Sequence, residues 1–283
     1  MDMTDERLAD EWQRHHAHAV NLAYQILGDI GDAEDVAQEA FERLSRAQGI
    51  DDVRGWLTVV TGRLCLDQVR SARHRYESPT EATVLEARAH GSADPADRVT
   101  LDDQVSGALL QVLGRLSPGE RVAFVLHDVF KVPFDEIAET VGRPVGTCRQ
   151  LARRARAKVQ TTGPHLAEVS DEEHRTVTEK FILACATGDL VALTALLDPA
   201  VWGAATFISE PAPPPQVNYG PDAVATNLLR FLGPGATLVG APVGQPVLLG
   251  YAQRRLFAVL ALTVRDGRVL KIEATVDPSA FSR

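Results

Sequence analysis

Between residues 134 and 159 the chain reads FDEIAETVGRPVGTCRQLARRARAKV, and the spacing inside this stretch admits few folds. Apolar or small residues recur at helical intervals on both sides of a Gly142-Arg143-Pro144 break: Phe134 and Ala138 before it, Val145, Cys148 and Leu151 after it. The pattern predicts two short helices crossing closely at a glycine turn, which is a helix-turn-helix. With Val145, Cys148, Leu151, Ala152 and Ala155 turned inward, Thr147, Arg149, Gln150, Arg153 and Arg154 face out. Arginine and glutamine on such a face can reach base edges in a major groove, while Arg156 and Lys158 suit phosphates. An ordinary helix hairpin with a solvated basic face is the plainer alternative, but it explains neither the glycine placement nor the missing acids. Pro144 stands where a Ser, Thr, Asp or Asn cap is expected, so the start of the second helix is open by a residue or two.

The charge around this stretch is unevenly placed. The 283-residue chain has a formal net charge of −9, yet no acid lies between Glu139 and Glu168, a span holding six basic residues. Residues 1–53 carry 13 acids against four arginines, and residues 53–76 reverse the sign with Arg54, Arg63, Arg70, Arg73 and Arg75 against Asp67 alone. Phosphate contact depends on the local patch, so an acidic total does not argue against nucleic acid. No run of 18 apolar residues and no basic-then-apolar leader occurs, so neither a membrane span nor a signal peptide is read and a cytoplasmic location is expected. Cys65, Cys148 and Cys185 each fall in an apolar pattern without ligand spacing and are expected as buried thiols; no metal and no cofactor is called for.

The length suits two or three units, and the texture of the chain divides accordingly. Helical spacing runs from Leu8 to Arg75, with Asp32 as the expected cap of its second helix. Residues 78–98, rich in Ala, Ser, Pro and acids, read as a flexible linker. A second helical unit, 99–162, includes a stripe of Leu109, Leu110, Leu113 and Leu116 and a capping box at Ser117-Pro118-Gly119-Glu120. After residue 168 a helical stretch to Leu197 precedes β-type runs, VWGAATFI, ATLVGA, PVLLGYA, RRLFAVLALTV and RVLKIEATV, with a hairpin signal at Arg265-Asp266-Gly267-Arg268. The reading is a multidomain chain: two all-α domains, 1–77 and 99–162, and an α+β domain over 168–283.

Two stretches, DIGDAEDVAQEAFERL with VRGWLTVVTGRLCLDQVRSARHR, and LSPGERVAFVLHDVFKVPFDEIAETVGRPVGTCRQLARRARAKV, resemble conserved regions 2 and 4 of the extracytoplasmic-function RNA polymerase sigma factors. The resemblance implies a promoter-specificity subunit whose partners are core RNA polymerase, through the clamp and flap, and promoter DNA. It implies core-polymerase contact at Asp35, Gln38, Glu39 and Arg43. It implies engagement of the −10 element by Arg54, Trp56, Arg63, Arg70 and Arg73, and of the −35 element by the helix-turn-helix residues above, Arg156 and Lys158 included. A melted strand needs cations for phosphate and a ring or pocket for an exposed base; Trp56 is equally a core residue by its spacing.

The last unit resembles the SnoaL-like, nuclear-transport-factor-2-like cone that one subgroup of these factors carries. There it implies a regulatory domain acting in cis and leaves room for a small-molecule ligand or a separate anti-sigma protein. The subgroup's DGGGK segment is replaced here by SEPAPPPQVNYG, and its NPDKL segment is echoed only by VDPSAFS. An enzyme would need a general base in the cone, and Glu210, Asp222, Asp266 and Glu273 make no convincing set. The chain is therefore read as no enzyme. Two alternatives stay open: a one-component helix-turn-helix regulator with a ligand-binding domain, and an isomerase or cyclase on a DNA-binding scaffold.

Overall fold

The computed structural model describes residues 5–77, 113–160, 172–208, 212–241 and 247–281. Three helices come first, α1 (Asp5–Leu27), α2 (Ile30–Arg46) and α3 (Val53–Glu77). The cap of α2 is Asp29 rather than the expected Asp32: its carboxylate accepts from the Asp32 N–H at 2.9 Å. The helix therefore begins one turn earlier, where the Gly28 turn delivers the chain. Every residue from Ala19 to Ile26 is buried. A helix apolar on all sides must be covered on all sides, and here α2 and α3 cover only part of it.

The second helical unit holds α4 (Pro118–Phe124), a π-helical turn (Val125–Val129), α5 (Phe134–Val141) and α6 (Val145–Gln160). The capping box forms as its residues predict, with the Ser117 N–H donating to Glu120 at 2.9 Å. Gly142 ends α5 in the left-handed conformation (φ 67°), and the first turn of α6 starts from the Pro144 carbonyl, which accepts from Thr147 at 2.8 Å. The expected linker, 78–98, and Leu109 and Leu110 of the apolar stripe lie outside the described residues; Leu113 and Leu116 are buried.

The third unit is α+β, as its texture predicts. Helices α7 (Glu172–Thr187), α8 (Leu190–Leu196) and α9 (Pro221–Leu232) pack on a sheet of six strands: β1 (Leu197–Phe207), β2 (Gln216–Tyr219), β3 (Ala236–Gly240), β4 (Val247–Ala252), β5 (Arg255–Arg265) and β6 (Arg268–Val276). Their order is β2-β1-β6-β5-β4-β3, antiparallel except for β1 with β6. Register shifts at Leu197/Trp202, Gly250/Tyr251 and Thr263/Val264 mark bulges, which bend a sheet. Asp266 and Gly267 form the expected hairpin turn at φ 51° and 71°. Two elements differ from the sequence reading. Strand β2 lies in the proline-rich stretch, and helix α9, opened by Pro221 with Asp222 in its first turn, falls where no helix was read.

Two cores result. One fills the cone with Phe181, Leu193, Leu228, Phe257 and Leu260. The other joins both helical units and also takes in Val239, Leu249, Tyr251 and Leu256 from the outer face of the sheet. In β4, Leu248 points into the cone while Leu249 and Tyr251 point to α1. That is why PVLLGYA lacks the apolar–polar alternation of a half-exposed strand: both of its faces are buried. Tyr24 and Tyr251 meet hydroxyl to hydroxyl at 2.6 Å inside this contact.

Candidate nucleic-acid interface

The helix-turn-helix presents one face and spends the other. Cys148, Ala152, Ala155 and Val159 are buried, with Val145 and Leu151 half-buried; Arg149, Gln150, Arg153 and Arg154 are exposed and Thr147 is half-buried. Arg149 lies over the Phe134 ring at 5.7 Å from its centroid, which aims the guanidinium from α6 across α5. Four polar side chains on one exposed face of a helix after a glycine turn can enter a major groove.

Arg156 and Lys158, expected to suit phosphates, are each paired with an acid of their own unit. Arg156 pairs with Asp128 at 2.6 Å and Lys158 with Glu120 at 2.6 Å, and both carboxylates are nearly buried at 10% and 6% exposure. Burial alone would push the Glu120 carboxyl up, but Lys158 and the Ser117 N–H and hydroxyl outweigh it and hold the group below its ordinary value. These two cations fasten α6 to α4 and the π-helical turn. Their positions late in α6 carried no signal of this, because the acids they meet are 28 and 38 residues earlier.

On the first unit the proposed contact residues fall on two surfaces. Asp35, Gln38, Glu39 and Arg43 are all exposed on one side of α2, with Arg43 paired to Glu39 at 2.6 Å. On α3, Arg54 and Arg63 are exposed but engaged: Arg54 pairs with Glu179 of α7 at 3.0 Å, and Arg63 donates to the Glu139 carbonyl of α5 at 3.0 Å. Arg70 is exposed beside Asp67, Trp56 is half-buried against the helical core, and Arg73 lies on α3 with its side chain outside the described residues. Two of the arginines expected to hold melted DNA are therefore engaged by the other two units.

The packing that causes this is close. A Cβ on Gly62 of α3 would lie 2.8 Å from Thr140 of α5, and Arg121 of α4 donates to the Ile26 carbonyl at the end of α1 at 3.0 Å. Burial lowers the Arg121 pKa to about 10, and a cation at a helix C-terminus completes carbonyls that lack partners. From the third unit, the backbone of Gly240 is held at both ends, its N–H by Asn21 at 2.8 Å and its carbonyl by Gln25 at 2.9 Å. The sequence reading missed these docking residues; the unbroken apolar run around β4 was the available signal.

An apolar crevice in the third unit is lined by Phe207, Phe231, Phe257 and Leu260, with Gln216 and Asn227 as its polar groups among the described residues. Asp266 is 94% exposed at its turn and Glu273 pairs with Lys271 at 2.8 Å, so neither supplies a base there. Glu210 lies outside the described residues. The three cysteines are buried, and burial pushes the thiols up, Cys185 to about 12. No helix among the described residues is long and apolar enough to cross a membrane.

The family described as Sigma-70 region 2 matches residues 12–75, and that described as Sigma-70, region 4 matches residues 106–159. The chain is 47% identical to the probable ECF RNA polymerase sigma factor SigI of Mycobacterium tuberculosis, over 95% of this chain and 93% of that protein. It is 35% identical to the ECF RNA polymerase sigma factor SigJ of the same species, over 96% and 92%. The crystal structure of that species' SigJ matches 97% of this chain and 98% of its own at 32% identity, with a TM-score of 0.39. With both regions matched in order and full-length relatives at this identity, the chain belongs to the ECF RNA polymerase sigma factors.

Proposed function

We propose that this sigma factor binds core RNA polymerase through Asp35, Gln38, Glu39 and Arg43 of α2. It places Arg54, Arg63, Arg70 and Arg73 of α3 on the −10 element and reads the −35 element with Arg149, Gln150, Arg153 and Arg154. Residues 1–77 and 99–162 are the two promoter-binding units, 78–98 joins them, and 168–283 is a non-enzymatic unit that modulates them in cis. The observation that carries this reading is the pair of basic helices, α3 and α6, held on separate helical units of one chain. Either alone would serve a repressor; together they suit two promoter elements with melting at one of them.

The cis role is supported by the same engaged residues. Glu179 of the third unit occupies Arg54, and α5 of the second occupies Arg63. A factor held this way has to open before it melts DNA. Run-off transcription from fragmented host DNA by core polymerase, with and without the full chain, is the test. Discrete new start sites sharing two spaced elements are expected. Absence of new starts, with tight binding to duplex DNA as a symmetric dimer, would overturn the reading in favour of a repressor.

A further inference from the structure

The turn between β4 and β5 is built against its own backbone preference. Ala252 pairs with Arg255, so the loop has two residues, Gln253 and Arg254, and both are left-handed at φ 50° and 64°. Such a turn favours Asn-Gly or Asp-Gly, and the next hairpin of the same sheet uses Asp266-Gly267. Strained non-glycine residues persist where the surroundings hold them for a purpose. Here the turn delivers Arg254 to the start of α2: its Nε donates to Glu34 at 2.9 Å and its Nη2 to Asp35 at 2.6 Å. Thr237 of β3 donates to the second oxygen of Glu34 at 3.0 Å, fixing that carboxylate for the guanidinium fork. Gly31 leaves the space, since a Cβ there would stand 3.3 Å from the Arg254 Nη1.

We infer that Arg254 is an intramolecular stand-in for a cationic surface of the polymerase, and that it must leave Glu34 and Asp35 before α2 can dock. The inference rests on the reading of α2 as the polymerase contact. The arginine is 51% exposed and Asp35 66% exposed. Ion pairs of that kind are individually weak, so a larger basic partner displaces this one without unfolding either unit. The mask is also selective. Arg149, Gln150, Arg153 and Arg154 stay exposed while Arg254 is in place, so the latched chain keeps its duplex-reading face.

Replacing Gln253-Arg254 by Asn-Gly removes the cation and gives the turn its preferred residues, so the full chain should melt no lower than before. Its affinity for core RNA polymerase is expected to rise about fivefold, the scale of one exposed ion pair, with duplex DNA binding unchanged. Asp35→Ala, measured beside it, is expected to weaken polymerase binding. Unchanged affinity in the Asn-Gly chain with loss in Asp35→Ala would overturn the latch and leave the α2 reading standing. Unchanged affinity in both would overturn the α2 reading and the latch with it.

Discussion

Regions 2 and 4 of this factor both carry a basic helix, but the two helices use their cations in opposite ways. On α6, Arg149, Arg153 and Arg154 are exposed, while Arg156 and Lys158, themselves partly exposed, pair with acids of their own unit. On α3, Arg54 and Arg63 point away from their own core and are held by other units. Region 4 thus keeps its basic face exposed, whereas two arginines of region 2 are engaged by neighbouring units. The same residue type stays exposed, ties a helix to its own unit or joins two units according to which carboxylate or carbonyl the fold brings within reach, and neither charge count nor helical spacing distinguishes these placements.

The contrast can be broken most forcefully at Gly62. Gly62→Leu would drive a side chain into Thr140 and Leu126, an overpacking costing about 1–3 kcal/mol, and should separate α5 from α3. Hydrogen exchange should then rise at the contact faces of both helices while each unit's own core stays protected; unchanged exchange would mean that the two units are not held by this contact. Next in size, Arg156→Ala leaves the nearly buried Asp128 without its cation and should cost roughly 1–2 kcal/mol of stability, discounted for the exposure of the arginine. Arg149→Ala should leave the melting temperature unchanged and shift −35 sequence preference instead, a bidentate base contact being worth about 1–3 kcal/mol. Equal loss of DNA binding at every sequence for Arg149→Ala would show that this residue touches only phosphate.

Acid sharpens the comparison further. His18 sits between Thr58, at 3.0 Å, and the edge of Phe130, and burial first, then Arg54 and His15, depress its pKa to about 3. An unfolded imidazole titrates near 6.5. Between those values the unfolded chain takes a proton that the folded chain refuses, so stability falls as pH drops from about 6.5 toward 3. In region 4 the depressed Glu120 carboxyl loses its contribution only as pH falls below the ordinary 4.5. Melting followed at pH 7, 6 and 5 should therefore fall in the parent chain and flatten in His18→Gln, if that variant folds with Thr58 still bonded. The smallest effect is expected from Glu179→Gln, which releases Arg54 from an exposed pair: a few-fold gain in single-stranded DNA binding, read by fluorescence anisotropy.

Much of this fold is written locally and was legible for that reason. The capping box at Ser117, the left-handed Gly142 and the Asp-Gly hairpin each act within four residues, so their composition announces them. The recognition face of α6 follows from period alone. What could not be read are the partnerships across long separations: Arg254 with Asp35 spans 219 residues and Tyr24 with Tyr251 spans 227. The helix at Pro221–Leu232 was lost for a different reason, since its flanking Gly220, Pro221 and Asp222 also compose a turn. The packing of the third unit on region 2 was legible only in outline, through a strand too apolar to have a wet face.

The grip of Asn21 and Gln25 on Gly240 has a consequence for the opened protein. Strand β3 is the last of its sheet, and an uncovered edge offers its amides and carbonyls to any passing strand. In the closed chain, side chains of α1 occupy both polar groups of Gly240 and so help to cap that edge. The proposed opening, where it parts α1 from β3, would uncap a β-sheet edge, and a factor lingering in that condition would be open to self-association. On the proposed reading, opening is best completed on the polymerase itself, where the interval between release and capture would be short.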